Sequence, residues 1–210
     1  MDEEFNSLRK NATWELVSLP PGRKLLQFKW VYSKKVVAKG STCKYKTRLV
    51  AKLFSQFQGV DYHETFAPME KMDSIRLVLA IVASKHWEVH HMDVKCDFLH
   101  GYLHEEIYMK QPKGYISYPS LVCNLQKSLY GLKHAPRSWY AKMDAFFLSQ
   151  NFQRCKYDPN VYFQQYDGII LIIVLYIDYI LITRSTLALI SFIKTALHDA
   201  FEMSDLGPLR

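Results

Sequence analysis

The sequence predicts an α+β fold. Long β-branched apolar runs bounded by turn residues mark strands, the longest being Ile169 to Thr183. Segments with apolar residues at helical spacing mark helices. The two kinds of segment mix without strict βαβ alternation, which argues against a doubly wound parallel sheet.

Residues 1–27 read as an irregular arm, with a turn at Pro20-Pro21-Gly22. Phe28 to Val37 and Tyr45 to Phe57 read as strands joined by a turn at Ala38-Lys39-Gly40-Ser41. The second carries Lys46, Arg48 and Lys52, so the pair is a basic hairpin. Asp73-Ser74 is placed to cap a helix with Ile75, Val78, Leu79 and Val82 on one face. A strand follows from Val89 to Val94, ending near Asp93, and then a short helical turn from Cys96 to Gly101. Ile107 to Met109 and Val122 to Leu125 are short strands. Pro136 opens a helix with Trp139, Met143, Phe146 and Phe147 inward. Val161 to Phe163 is a strand, and Ile169 to Thr183 is a pair of strands reversing at Asp178. Ile190, Ile193, Leu197 and Phe201 define a last helix, and a further strand starts near Met203.

Composition narrows the function classes. With 210 residues, 49% hydrophobic and 22% charged, the chain is globular rather than disordered. A net charge of +7 suits a polyanionic partner and equally suits ordinary solubility. The four cysteines form no C-x-x-C pair, which argues against a zinc ribbon or a disulfide framework. His100 and His104 have metal-binding spacing but no evident third ligand. The acidic start, Met-Asp-Glu-Glu-Phe, is not a signal peptide. The run at 169–182 is shorter than a membrane span, Asp178 interrupts it, and its β-branched content indicates buried strands.

Two acids have the look of a site. Asp93 lies where a strand gives way to a turn, and Asp178 lies inside an apolar run where a lone carboxylate is costly. If the two converge they can bind a hard cation such as Mg²⁺. The alternative at this point is that Asp93 caps a helix and Asp178 occupies a hairpin turn, where Asp is common.

The motifs around these acids resemble those of a known family. Asp93-Val94-Lys95-Cys96-Asp97-Phe98-Leu99-His100-Gly101 and Tyr176-Ile177-Asp178-Tyr179 are similar to the two catalytic motifs of copia-type retrotransposon reverse transcriptases. Lys29-Trp30-Val31, Tyr45 to Lys52, Asp61 to Pro68, Glu105 to Met109, Gln111 to Gly114 and Leu129 to Arg137 match in the same order. The resemblance implies an RNA-directed DNA polymerase domain with an antiparallel palm sheet backed by helices. Fingers would span about 28–70, and a palm with an inserted fingers segment about 71–210. It implies two Mg²⁺ ions, an RNA template, a DNA primer and deoxynucleoside triphosphates. Asp93 and Asp178 would be catalytic metal ligands. Lys46 or Arg48 would hold the triphosphate, Phe98 would stand beside the sugar, and Gly131, Pro136 and Arg137 would support template and nucleotide. A cytoplasmic or virus-like-particle location follows from the same resemblance.

The sequence also departs from the family. Tyr179 stands where the family has another metal-binding Asp, and a phenol is neutral at pH 7 and a poor Mg²⁺ ligand. Asp97 is an extra acid four residues after Asp93, so on a helical turn it would face the same side. Leu53 and His134 replace a usual Gly and Gln. The sequence stops soon after Gly207, where the family continues into a thumb and ribonuclease H. The expectation is therefore a truncated, catalytically impaired polymerase domain. The alternative is a non-catalytic nucleic-acid-binding remnant.

Overall fold

The computed structural model describes residues 1–35, 44–184 and 188–209. Its elements run α1 (Asp2–Lys10), β1 (Trp14–Val17), β2 (Leu25–Leu26), β3 (Phe28–Lys35), β4 (Lys44–Ala51), α2 (Met72–Lys85), β5 (Glu88–Val94), β6 (Tyr108–Met109), β7 (Val122–Leu125), α3 (Ala135–Ser149), β8 (Gln153–Arg154), β9 (Val161–Tyr166), β10 (Ile169–Tyr176), β11 (Tyr179–Arg184), α4 (Ala188–Ala200) and β12 (Met203–Pro208). Short 3₁₀ helices lie at Leu53–Ser55 and Asp97–His100. The fold is α+β, and the chain divides into two compact units. One comprises Met1–Phe66 with Phe98–Trp139, the other Ala67–Asp97 with Tyr140–Arg210.

The second unit is built on a six-stranded sheet in the order β12-β5-β11-β10-β9-β8, every neighbour antiparallel. Alternation puts Leu171, Ile173 and Leu175 on one face of β10 and Ile172 and Val174 on the other. Ile173 and Val174 are both buried, so the sheet is covered on both sides. That explains why the run reads as continuously apolar instead of alternating. Val78 and Val82 of α2 pack with Val89 and Val174 on one face. On the other, the Phe147 ring of α3 lies 4.7 Å from that of Tyr162, whose strand partner is Ile173. The α4 helix lies against β11 and β12, and its Ile190, Ile193 and Leu197, with Phe201 just beyond, are all buried. Each such side chain contributes roughly 1.5–3 kcal/mol when fully buried.

The α2 helix starts at Met72, two residues before the first position that an Asp73 cap would allow. Lys71 is the N-cap without a side-chain cap bond, and Asp73 sits in the first turn, where its charge complements the helix dipole. Leu79 is 40% exposed and belongs to the solvent side rather than the apolar face. The helix ends at His86, whose left-handed φ of 55° lets the Trp87 amide reach back to the Val82 carbonyl at 3.0 Å.

The first unit corrects the expectation of an irregular arm. Residues 1–27 contain α1, β1 and β2. The α1 helix carries Asp2, Glu3 and Glu4 in its first turn and Arg9 and Lys10 in its last, a distribution that suits the helix dipole. A four-stranded sheet in the order β1-β7-β6-β2 joins the arm to residues near 110 and 123, with β2 parallel to β6. The basic strands β3 and β4 pair antiparallel as a separate sheet. β4 stops at Ala51 and gives way to the 3₁₀ turn at Leu53–Ser55, so the strand does not reach Phe57. The turn expected at 38–41 lies outside the described residues, as do Val36 and Val37. Among the described residues, no helix is long and apolar enough to cross a membrane.

Candidate active site

The second unit brings Asp93 and Asp178 to the same end of its sheet. β10 and β11 form a hairpin in which Tyr176 pairs with Tyr179, leaving Ile177 and Asp178 as a two-residue turn. Such tight turns suit the twist of antiparallel strands only when a central residue takes positive φ. Here that residue is Ile177, at φ 54°. A β-branched side chain is an outlier in this region and costs on the order of 1–3 kcal/mol. The Glu70 carboxylate accepts a hydrogen bond from the Ile177 amide at 2.9 Å and ties the turn down.

β5 lies between β11 and β12, and its register places Asp93 opposite Tyr179 on one side and Ser204 on the other. Directly opposed residues in antiparallel strands share a face, so these three side chains stand together. The Val94 amide donates to the Asp178 carbonyl at 2.8 Å, fixing the turn against the end of β5. Electrostatics agree with this arrangement. The Asp93 carboxylate, and after it the Asp178 carboxylate, raise the Tyr179 phenol above its ordinary pKa near 10. Tyr179 is therefore neutral at pH 7, and it is 42% exposed.

Asp97 does not share a helix with Asp93. β5 ends at Val94, Cys96 takes φ 55°, and Asp97 is a buried residue of the following 3₁₀ turn. Among the described residues, no three His, Cys, Asp or Glu side chains group as a metal site. Two carboxylates fit what Mg²⁺ takes from a protein when substrate phosphates complete its shell.

The first unit gathers the other candidate residues. Arg48 places its guanidinium 4.9 Å from the ring centre of Tyr130, and Phe98 meets the same ring edge-on at 5.1 Å. Phe98, Gly131 and Pro136 line one cavity of about 590 Å³ together with Tyr62 and Lys133. Lys133 donates to the Tyr62 hydroxyl at 3.0 Å. Gly131 has φ 81°, and a Cβ there would lie 2.4 Å from the Ala51 carbonyl oxygen, so only glycine fits. Gly101 is held to glycine by a different contact, since its Cβ would meet that of Ser138 at 2.8 Å. Arg137 donates to the Phe66 carbonyl at 3.3 Å, and Lys46 is exposed on β4. His134 is buried, its Nε2 3.8 Å from Glu105. Burial pushes its pKa down against the opposing pull of Glu105 and Asp61, leaving the ring neutral. His100 and His104 do not share an α-helix: His100 ends the 3₁₀ turn and its ring lies tilted 6.0 Å from that of Trp139, while His104 follows in a loop.

Sequence reasoning missed two residues at these places. Tyr130 lies inside the motif Leu129-Tyr130-Gly131 and was open to recognition there. Glu70 meets Ile177 across 107 residues of sequence, and no local pattern announces it.

A pair of carboxylates thus stands at one end of the six-stranded sheet, beside a tight hairpin. The chain belongs to the reverse transcriptase (RNA-dependent DNA polymerase) family, whose model matches residues 11–210. It is of the copia type of retrotransposon Pol polyprotein. It is 46% identical over 211 residues to the retrovirus-related Pol polyprotein from transposon TNT 1-94 of Nicotiana tabacum, covering 99% of this chain and 16% of that protein. It is 38% identical over 208 residues to the corresponding polyproteins from transposons RE2 and RE1 of Arabidopsis thaliana, covering 98% of this chain and 14% of each. The chain thus spans 14–16% of the length of these relatives.

Proposed function

We propose that the chain is the fingers-and-palm part of an RNA-directed DNA polymerase whose chemistry is impaired by Tyr179. The second unit is the palm and the first unit the fingers, including the inserted segment at 98–139. The observation that carries this reading is the register opposing Asp93 to Tyr179, with Asp178 in the adjoining turn. Asp93 and Asp178 are the acids that would hold Mg²⁺. When bound, a pair of such ions supplies charge stabilisation for in-line transfer at phosphorus. The chain's own part is to fix two carboxylates on a strand end and a braced turn. Their position opposite a neutral ring leaves the pocket with fewer negative charges than three acids would provide. Arg48, braced over Tyr130, and Lys46 are the candidates to hold a triphosphate. Phe98 is the aromatic for the sugar, and Gly131, Pro136 and Arg137 are supports for template and nucleotide. The partners of this reading are an RNA template, a DNA primer and deoxynucleoside triphosphates.

Primer extension on an RNA template with Mg²⁺ tests it. The natural chain should extend at background level. Tyr179→Asp should bind Mg²⁺ about tenfold more tightly, since a carboxylate a few ångströms from the ion restores a full charge interaction, and should extend measurably though weakly. Equal, robust extension by both forms would falsify the impairment. Absence of extension from both, with salt-sensitive oligonucleotide binding retained, would instead support a nucleic-acid-binding remnant, with which the +7 charge is compatible.

A further inference from the structure

The second unit holds a row of four titratable side chains where α4 meets the sheet. Glu88 and His90 share one face of β5, and the His90 Nε2 stands 3.2 Å from the Glu88 carboxylate. On α4, the Lys194 ammonium lies 2.8 Å from the His90 Nδ1 and 2.8 Å from each carboxylate oxygen of Asp205 on β12. An ammonium has three donors and no acceptor, so Nδ1 accepts from Lys194. The proton of the neutral ring then belongs on Nε2, where it donates to Glu88. Lys194 thus ties α4 to β5 and to the edge strand β12 at once.

Protonating His90 breaks this row at one point. The new proton sits on Nδ1, where Lys194 donates, and leaves two cations face to face. The imidazolium gains an ion pair with Glu88, whose side chain is 56% exposed, and so exposed a pair is worth little. Against that gain it loses the Lys194 bond and meets an ammonium only 12% exposed, which solvent screens poorly. The other groups facing His90 do not reverse the balance. β11 sets Ile182 opposite His90 and the Arg184 cation opposite Glu88. β12 sets Pro208 opposite His90 and contributes Asp205, both of whose oxygens Lys194 already holds. On α4, His198 and Asp199 lie further along and are exposed. Asp205 itself does not titrate in the neutral range. Burial would raise its carboxyl, but the Lys194 hydrogen bond and the Gly207 amide outweigh burial and hold it below the usual carboxylate value.

We propose that His90, Lys194 and Asp205 form an acid-released latch, which holds α4 and β12 to β5 while His90 is neutral and frees them when its ring takes up a proton. The window is the one in which histidines change charge, between about pH 5 and pH 8. The latch is closed at the upper end and opens as pH falls. β12 is also the strand that sets Ser204 opposite Asp93, so this edge of the sheet loosens with the latch. The inference is independent of the polymerase reading, and its test needs no metal, nucleotide or nucleic acid. Amide hydrogen exchange of the full chain is followed at about pH 8 and about pH 5, the two ends of that range, and corrected for the intrinsic effect of pH on exchange. Protection in α4 and β12 should fall about tenfold at the lower pH, the equivalent of one charge-assisted hydrogen bond. Protection in β9 and β10 should hold, since local openings of this kind leave the rest of a unit closed. His90→Gln still offers Lys194 an oxygen but takes up no proton, so it should abolish the difference. Lys194→Met removes the cation that the imidazolium meets and should abolish it too. Should either variant fail to fold, the other decides. His198→Gln should leave the difference intact. Equal protection at both pH values would overturn the latch. So would a fall spread evenly over the sheet, one that persists in His90→Gln or Lys194→Met, or one that His198→Gln removes.

Discussion

At position 179 the chain places a phenol opposite a carboxylate, and the consequence is measurable on the phenol itself. A negative neighbour penalises the phenolate, so Tyr179 should ionise only above pH 10. Asp93 is the larger cause and Asp178 the smaller. The direction of each substitution follows. Removing either negative charge lets the phenolate form sooner, so Asp93→Asn and Asp178→Asn should both lower the midpoint, the first by more. The Cζ resonance of Tyr179 in tyrosine-labelled protein, assigned with Tyr179→Phe, reads this directly. An unchanged midpoint in Asp93→Asn would separate the two side chains and remove the argued site. The linkage to stability has the same sign. A folded-state pKa above the unfolded one favours the native state fully below pH 10, and that advantage is lost as pH rises through the folded value.

The β10–β11 hairpin shows what an element can and cannot announce. Its strands were legible because β-branched residues fill both sides of a single acid, and its reversal at Asp178 follows from the cost of burying that acid. What was not legible is that the positive φ falls on Ile177 rather than on a turn-forming residue. Glycine is the ordinary choice at the first central position of this turn. Ile177 is half exposed, so little burial is at stake there. Ile177→Gly should therefore raise stability by about 0.5–2 kcal/mol, the relieved strain less glycine's extra backbone entropy. Urea denaturation with an unchanged slope checks this. A fall of similar size would mean that the conformation is not strained, or that the Ile177 side chain packs more than its exposure suggests. Elsewhere the limits of sequence have one physical cause, which is distance along the chain. β1 pairs with β7 across more than a hundred residues, and β2 with β6 across about eighty. Two- and four-residue strands carry too little periodicity to be seen without their partners, so the arm read as irregular. The insertion of β5 between β11 and β12, which sets Asp93 opposite Tyr179, is another such pairing. The helices α2, α3 and α4 were legible because their apolar spacing is local.

At the scale of the whole molecule, each of the two units is assembled from two separated stretches of chain and has its own buried residues. Leu129 is fully buried in the first, Ile173 in the second. Two cores of this kind need not melt together, and two-state behaviour is the property of single small domains. Calorimetry should give a van't Hoff enthalpy below the calorimetric one, with the endotherm resolving into two components. The assignment of those components can be forced. Truncating a buried Leu or Ile to Ala costs about 2–5 kcal/mol by lost burial and residual cavity. Leu129→Ala should therefore shift one component down and leave the other near its place, and Ile173→Ala should do the reverse. The pair is needed because either variant alone only shows that a core residue matters. A single sharp transition moved equally by both substitutions would show that the units fold as one. Independent movement would mean that the six-stranded sheet carrying Asp93 and Asp178 keeps its register when the basic hairpin is destabilised. The metal-binding geometry argued for Tyr179→Asp could then be measured in variants that weaken the other unit.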